Sequence, residues 1–394
     1  MYRGLQMNFE QYEVCLVELI KDSVLNRNTY KIPDDINIET IINIAKLHNI
    51  FNLIYPTLSS RGISNPEMVI DFCLSIAVDA KQKFYLDKIR KRLEEEKIRF
   101  VCMKGAVLKE LYSETFMRSS SDIDIFVDDE NTDKVRDIMT DLGFETERFS
   151  HQIQDDVYSM GKIVYVEIHR KLMSGKCPWD KKCQEIIKRV TPKAEGTYEC
   201  VMSAEDFYLH MIGHMAKHMK HAGFGIRMII DAWIYLNRFG DSLDREILDK
   251  RLKYCGLDVF ENEVVKLIDC WFNGKQADER TKALGRYVLD SGIFGTAKQY
   301  NATEMAEFMG EGKNNVLVMF KKFWKVFFLP YGHMCLIYPN LSGKPILLPI
   351  YWAIRAFDVV LHKRGRISEI SKVYDKVDTE YAKRIIDLKK GLGL

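Results

Sequence analysis

The chain has 394 residues, 47% of them hydrophobic and 29% charged, with 58 basic against 56 acidic side chains for a net charge of +2. This is the composition of an ordinary soluble globular protein, long enough for two or three domains or for one domain with large helical additions. With the charges balanced, nothing global demands nucleic acid or a membrane surface as a partner. The nine cysteines form no CxxC, and the nearest pair, Cys177 and Cys183, has no second pair close in sequence. An odd count without a secretory pattern at the N-terminus leads us to expect reduced thiols and a cytoplasmic protein. The longest apolar run, Pro345 to Leu361, is interrupted by Arg355 and Asp358 and is shorter than the roughly 20 residues a span requires. It reads as a buried or interfacial helix, so no membrane span is expected.

Apolar residues recur at helical spacing through the first part of the chain, at Val14, Val17, Val24 and Leu25 and again at Ile41, Ile44 and Ala45. The charged stretch Lys88 to Lys97, with Arg90 and Glu94 four apart, reads as a solvated helix face. The pattern then changes. Ile98 to Met103 predicts a strand, Lys104-Gly105 a turn, and Ala106 to Tyr112 a short helix. A polar loop to Ser121 leads into a strand over Asp122 to Val127. A helix follows over Asp129 to Leu142, with one apolar face and Gly143 as its stop. Gln152 to Met160 and Ile163 to His169 read as two further strands joined near Gly161. This order describes a small unit with a mixed sheet. Beyond Thr191 the chain turns helical again, with Ser203 as an N-cap, aromatic-rich helices over Val316 to Phe328 and Pro349 to His362, and a charged tail from Ile367. Residues 1–95, 96–190 and 191–394 are therefore expected as an N-terminal helical region, a central α+β core and a helical C-terminal region.

The segment Arg118-Ser119-Ser120-Ser121-Asp122-Ile123-Asp124 carries the sharpest chemistry. On a strand, alternate side chains share a face, so Asp122 and Asp124 point one way while Ile123 and Ile125 enter the core. Two neighbouring carboxylates repel unless a cation lies between them, and oxygen ligands at this spacing suit Mg²⁺. Glu167 is a lone acid in the apolar strand Val164 to Ile168. If that strand lies beside the first, Asp122, Asp124 and Glu167 converge as catalytic residues and metal ligands for phosphoryl or nucleotidyl transfer. Upstream, Lys104 and Gly105 offer a charge and a close backbone approach to a phosphate.

These residues together resemble the polymerase β-like nucleotidyltransferase superfamily, and more narrowly the bacterial uncharacterised nucleotidyltransferase family. The resemblance rests on Met103-Lys104-Gly105, the Arg118 to Asp124 segment, Glu167-Ile168-His169, and His214-Met215-Ala216-Lys217-His218. It also includes Gly225-Ile226-Arg227 with Asp231, and runs loosely from about residue 15 to 365. It implies a polymerase β-like core, Mg²⁺ or Mn²⁺ as cofactor and a nucleoside triphosphate as donor. Asp122, Asp124 and Glu167 would be catalytic and metal-binding. Lys104, Gly105, Arg118, Ser120, Ser121, His169, Lys217 and His218 would bind substrate or phosphate. The acceptor is left open among a small molecule, a protein and a tRNA. One departure is Gly105-Ala106, where the superfamily has a hydroxyl on the turn. Ser119, Ser120 or Ser121 would have to supply it. That departure keeps alive a second reading, a catalytically degenerate nucleotide-binding or regulatory module of the antitoxin type.

The histidines His210, His214 and His218 form a stripe on one helix. Packing against the core, a place at the substrate cleft and a zinc site all suit it, although no HExxH is present. Arg227 and Asp231, four apart, read as an ion pair within their helix. The aromatic residues Phe320, Phe323, Trp324, Phe327 and Phe328 read as core.

Overall fold

A computed structural model describes residues 9–149, 155–173, 177–296, 299–300, 302–303, 324, 328–362 and 379–394. The described part of the N-terminal region forms four helices: α1 (Phe9–Val24), α2 (Ile38–Leu47), α3 (Phe51–Ser60) and α4 (Pro66–Glu95). Local chemistry sets their starts. Asn37 caps α2 by accepting from the backbone of Glu39 and Thr40, and Asn65 caps α4, with Pro66 at the first helical position. Ile41 and Ala45 are buried as the spacing predicts, whereas Val14 is exposed on the outer face of α1.

Among the described residues seven strands form one mixed sheet: β1 (Phe100–Cys102), β2 (Asp122–Val127), β3 (Glu145–Arg148), β4 (Asp155–Met160), β5 (Val164–His169), β6 (Thr191–Pro192) and β7 (Glu199–Val201). Their order is β3-β4-β5-β2-β1-β7-β6. The central pair, β2 and β5, is parallel, with Asp122 opposite Tyr165, Asp124 opposite Glu167 and Phe126 opposite His169. Between β1 and β2 stand the short helix α5 (Gly105–Leu108) and two turns of 3₁₀ helix, and α6 (Thr132–Asp141) links β2 to β3.

Because side chains alternate along strands, the sheet has two faces with different fates. Ile123, Ile125 and Val127 of β2, with Val164, Val166 and Ile168 of β5, pack on Leu86, Ile89 and Leu93 of α4 and on Val135, Ile138 and Met139 of α6. The opposite face, carrying Val101, Met103 and Phe126, belongs to a second and larger core shared with the N-terminal helices and the helical body that follows. That body contains α7 (Asp180–Cys183), α8 (Ala204–His221), α9 (Ile226–Phe239), α10 (Arg245–Cys255), α11 (Asp258–Asn273) and α12 (Glu279–Asp290). Ser203 caps α8 through the backbone N–H of Asp206, as the sequence predicts.

Three features depart from the sequence reading. β3, with the sequence Glu-Thr-Glu-Arg, is an exposed edge strand with no apolar alternation to reveal it. The sheet also recruits β7, which pairs in parallel with β1. Finally, Arg90 and Glu94 are not a solvated face. The Glu94 carboxylate accepts from the backbone N–H groups of Tyr198 and Glu199, and Arg90 lies 3.4 Å from the Glu199 carboxylate. The charged end of α4 therefore clamps the start of β7.

Toward the C-terminus, a helix over Leu348–His362 leaves Ile350, Ile354 and Phe357 exposed along one side, and another spans Thr379–Gly391. Most of Val316 to Phe328, including Phe320, Phe323 and Phe327, and the tail from 367 to 378 lie outside the described residues. Among the described residues, no helix is long and apolar enough to cross a membrane.

Candidate active site

The β2–β5 register does the assembling. Asp122 and Asp124 project from the face opposite Ile123 and Ile125, and Glu167 and His169 project from the same face of the neighbouring strand. One ligand atom each from Asp124, Glu167 and His169 lies within 4.8 Å of the other two. The His169 ring nitrogen Nε2 is 2.7 Å from Asp124 Oδ1 and 3.4 Å from Glu167 Oε2. Two carboxylates and an imidazole converging this closely fit a divalent cation. Asp122 stands beside this group and lines the same cavity. Burial pushes its carboxyl up, and the charges of Asp124 and Glu167 add to that.

Lys104 enters from the turn before α5. Its backbone has φ of 42°, a conformation that side-chain-bearing residues rarely adopt. The turn is held by the Met103 N–H bond to the Asp124 carbonyl, 3.0 Å, and by Val107 and Leu108 N–H bonds to the Lys104 carbonyl. From this position the ammonium reaches Asp124 Oδ1 at 2.5 Å, the oxygen that His169 also approaches. Burial alone would push the Asp124 carboxyl up, but the Lys104 charge and the His169 hydrogen bond outweigh it and hold the group far below its usual range. A hydrogen bond from His169 also holds Glu167 low. On His169 itself, burial and the Lys104 charge oppose protonation, and the bonds to Asp124 and Glu167 overcome them to raise its pKa.

Gly105 is required by close approach. A Cβ there would stand 2.6 Å from Ser120 Oγ and 2.8 Å from Arg118 Nη1. Ser120 thus puts a hydroxyl against the Gly105-Ala106 turn, and that hydroxyl bonds to the Asp122 carbonyl at 2.9 Å. Ser121 is exposed and donates to the Asp122 carboxylate instead. The loop is pinned from behind by Ser119 to Asn52 and by Gln82 to the Ser120 carbonyl.

Arg118 is buried and makes a two-pronged bond to Asp231 of α9, both contacts at 2.8 Å, while Tyr112 donates to the same carboxylate. Its remaining nitrogen, Nη1, is buried beside Gly105 without a hydrogen-bond partner among the described residues. The expected Arg227–Asp231 pair is therefore replaced by Arg118–Asp231. Arg227 instead donates to the Ser119 carbonyl at 2.8 Å, and burial, together with the Arg118 charge, lowers its pKa.

The histidine stripe of α8 forms the facing wall. His210, His214 and His218, with Lys217, line the cavity of about 260 Å³ that also holds Lys104, Asp122, Asp124 and Glu167. His218 Nε2 is 3.0 Å from His214 Nε2, and its ring stacks on Phe294. His210 is buried, and among the described residues neither of its ring nitrogens has a hydrogen-bond partner. Burial, then the Lys104 charge, pushes His210 down to about 3, and burial with the Lys217 charge does the same to His218. Lys217 is lowered as well, by burial and by Lys104. The stripe is thus a wall of imidazoles kept neutral by burial, with Lys217 among them, opposite a cluster of carboxylates. Phe294 and Asp231 were not singled out for the site by the sequence. Phe294 stands in no motif, and the local spacing assigned Asp231 to the wrong arginine.

A mixed sheet with paired acids on one central strand, a third acid on its parallel neighbour and a glycine turn facing them is an α+β nucleotidyltransferase core flanked by helices. The comparison with protein families agrees. The chain belongs to the uncharacterised nucleotidyltransferase family, whose model matches residues 34–273, well over half its length and the whole of the site except Phe294. Neither the curated proteins nor the solved structures contain a match.

Proposed function

We propose that this chain transfers a nucleoside monophosphate from a nucleoside triphosphate to an acceptor hydroxyl or other nucleophile, releasing pyrophosphate. The observation that carries this reading is the parallel β2–β5 pairing, which sets Asp124 directly opposite Glu167 across from the Lys104-Gly105 turn. Asp122, Asp124 and Glu167 would hold Mg²⁺ or Mn²⁺, with His169 at the edge of the set. Bound divalent ions supply positive charge to the reacting phosphoryl group and the leaving pyrophosphate. The remaining steps belong to the chain. Lys104, Arg118 and Ser120 surround the turn where donor phosphates would lie, and Gly105 lets them approach. Lys217 and His218 face that position from α8. The acceptor oxygen forms its bond to the α-phosphorus as the bond from that phosphorus to pyrophosphate breaks. Glu167 would polarise the acceptor and take its proton, with His169 bonded to that carboxylate and orienting it.

The test is product mass and pyrophosphate release with panels of small molecules, proteins and tRNA as acceptors. Asp124→Asn is expected to lower turnover by at least about 100-fold, the scale of losing a principal electrostatic group in a site, with the fold intact by circular dichroism. Undiminished transfer by that variant would remove the assignment. One observation favours a second reading, a module that binds nucleotide without turnover: the Lys104 ammonium sits on the Asp124 oxygen that a metal would use. Nucleotide binding without pyrophosphate release under any acceptor would select it.

A further inference from the structure

Asp124 Oδ1 is approached from two sides at hydrogen-bond distance, by Lys104 Nζ at 2.5 Å and His169 Nε2 at 2.7 Å. The same oxygen cluster, with Glu167, is where a divalent ion would be ligated. A tethered ammonium and a free ion that use one carboxylate oxygen compete for it, since both cannot take the same approach at bonding distance. The tether here is short and directed. Lys104 precedes Gly105 at the start of α5, its backbone is held at φ of 42°, and only about 20% of its side chain is exposed. Such an unfavourable backbone conformation persists where surrounding contacts over-determine it, and here it aims a lysine into the acids. Asp122 and Glu167 add their attraction to the same ammonium.

The turn also offers a place for an anion. Arg118 Nη1 is buried beside Gly105 without a hydrogen-bond partner among the described residues, and Ser120 Oγ lies at the same spot. An anion seated against Gly105 would meet Arg118 there, within the lining that Lys104 shares.

We propose that Lys104 is a positioning residue that acts as a tethered competitor for the metal ligand Asp124, and that it passes to the donor's phosphates when nucleotide and metal enter together. This inference rests on the metal-dependent transferase reading. It makes metal binding weak in the absence of nucleotide and strong in its presence, because a donor phosphate gives the displaced ammonium a partner.

The direct test is binding of Mn²⁺ alone, read from the loss of the free-ion electron paramagnetic resonance signal, in wild type, Lys104→Met, Lys104→Gln and Lys104→Arg. Removing a charged partner from Asp124 should tighten Mn²⁺ binding about tenfold in the Met and Gln variants. The Arg variant, which keeps the competing charge, should stay near wild type. The Gln variant retains a hydrogen-bond donor to Asp124, and circular dichroism establishes that each variant is folded. A second measurement uses the unaltered protein. The rate at which acetic anhydride labels Lys104, followed by peptide mass, should rise at least about threefold when Mg²⁺ is raised high enough to fill the site without nucleotide, as the ammonium leaves its carboxylate, and a rate unchanged at that concentration would overturn the competitor role. Mn²⁺ binding that is unchanged or weaker in folded Lys104→Met and Lys104→Gln would overturn the competitor role while leaving the metal site standing. Failure of folded wild type and all variants to bind Mn²⁺ would overturn the metal reading itself, and the competitor role with it.

Discussion

At the scale of single residues, the site works by setting opposite charge environments a few ångströms apart. Asp124 and Glu167 are held ionised by His169 and Lys104, while the α8 histidines facing them are kept neutral by burial and by neighbouring cations. The second half of that arrangement has a consequence for stability. His210 is pushed down to about 3 in the folded protein, from an ordinary value of 6.5. The unfolded chain therefore takes up a proton that the folded chain refuses. The stabilisation linked to this group is complete above about pH 6.5 and is lost as pH falls toward 3. His210→Phe, which cannot take the proton, is expected to flatten the acid loss of stability by about 1.4 kcal/mol per pH unit over that window. Urea unfolding at a series of pH values reads the slope, and an unaltered slope would refute the buried neutral state. The acids themselves were legible in sequence, because alternation on one strand is a local rule. The partner of Arg118 was not. Arg227 and Asp231 sit at helical i,i+4 spacing, which suggests a pair, yet Asp231 bonds a residue 113 positions earlier in the chain. Nothing local signals a contact of that separation.

At the scale of elements, α9 supports the loop before β2 through a single buried carboxylate. Asp231 receives both prongs of Arg118 and the Tyr112 hydroxyl, and Arg227 of the same helix ties down the Ser119 carbonyl. Asp231→Ala would leave the Arg118 guanidinium buried without a counter-charge, so we expect a loss of about 3–5 kcal/mol. Replacing both partners, as in Arg118→Met/Asp231→Leu, should recover a large part of it, since an apolar pair carries no uncompensated charge. Denaturant midpoints for the single and double variants decide this, and a single-variant loss under about 1 kcal/mol would show that the pair is not the brace described. Element boundaries were read well where periodicity was strong, as at β2, β5, α6 and the Ser203 cap of α8. β3 escaped because a strand of Glu-Thr-Glu-Arg at a solvent edge has no apolar rhythm. β7 escaped because three residues are too few for any period, and its clamp by Glu94 hides inside a charge run that looks like plain helix surface.

At the scale of the whole molecule, the cavity lies where the sheet meets the helical body. One face of the sheet has its own core with α4 and α6, and the other shares a core with the helices before and after it. The chain runs from helices through the sheet to helices again, and two strands of that sheet, β6 and β7, lie beyond the expected division at residue 190. The shared core and the β1–β7 pairing explain why composition alone could not draw the boundary between the acid-bearing strands and their cover. That arrangement gives the cavity two walls of different origin, acids from β2 and β5 and basic or neutral donors from α8 and α9.

The central claim is that these two walls hold a metal–nucleotide pair. Calorimetric titration of wild type and the Asp122→Ala/Asp124→Ala double variant with ATP, GTP, CTP and UTP, each with and without Mg²⁺, tests it most directly. At least one nucleoside triphosphate is expected to bind folded wild type, to require Mg²⁺ for binding, and to bind no longer in the double variant. Metal-independent binding that survives in the double variant, or no binding of any of the four by folded wild type, would contradict it.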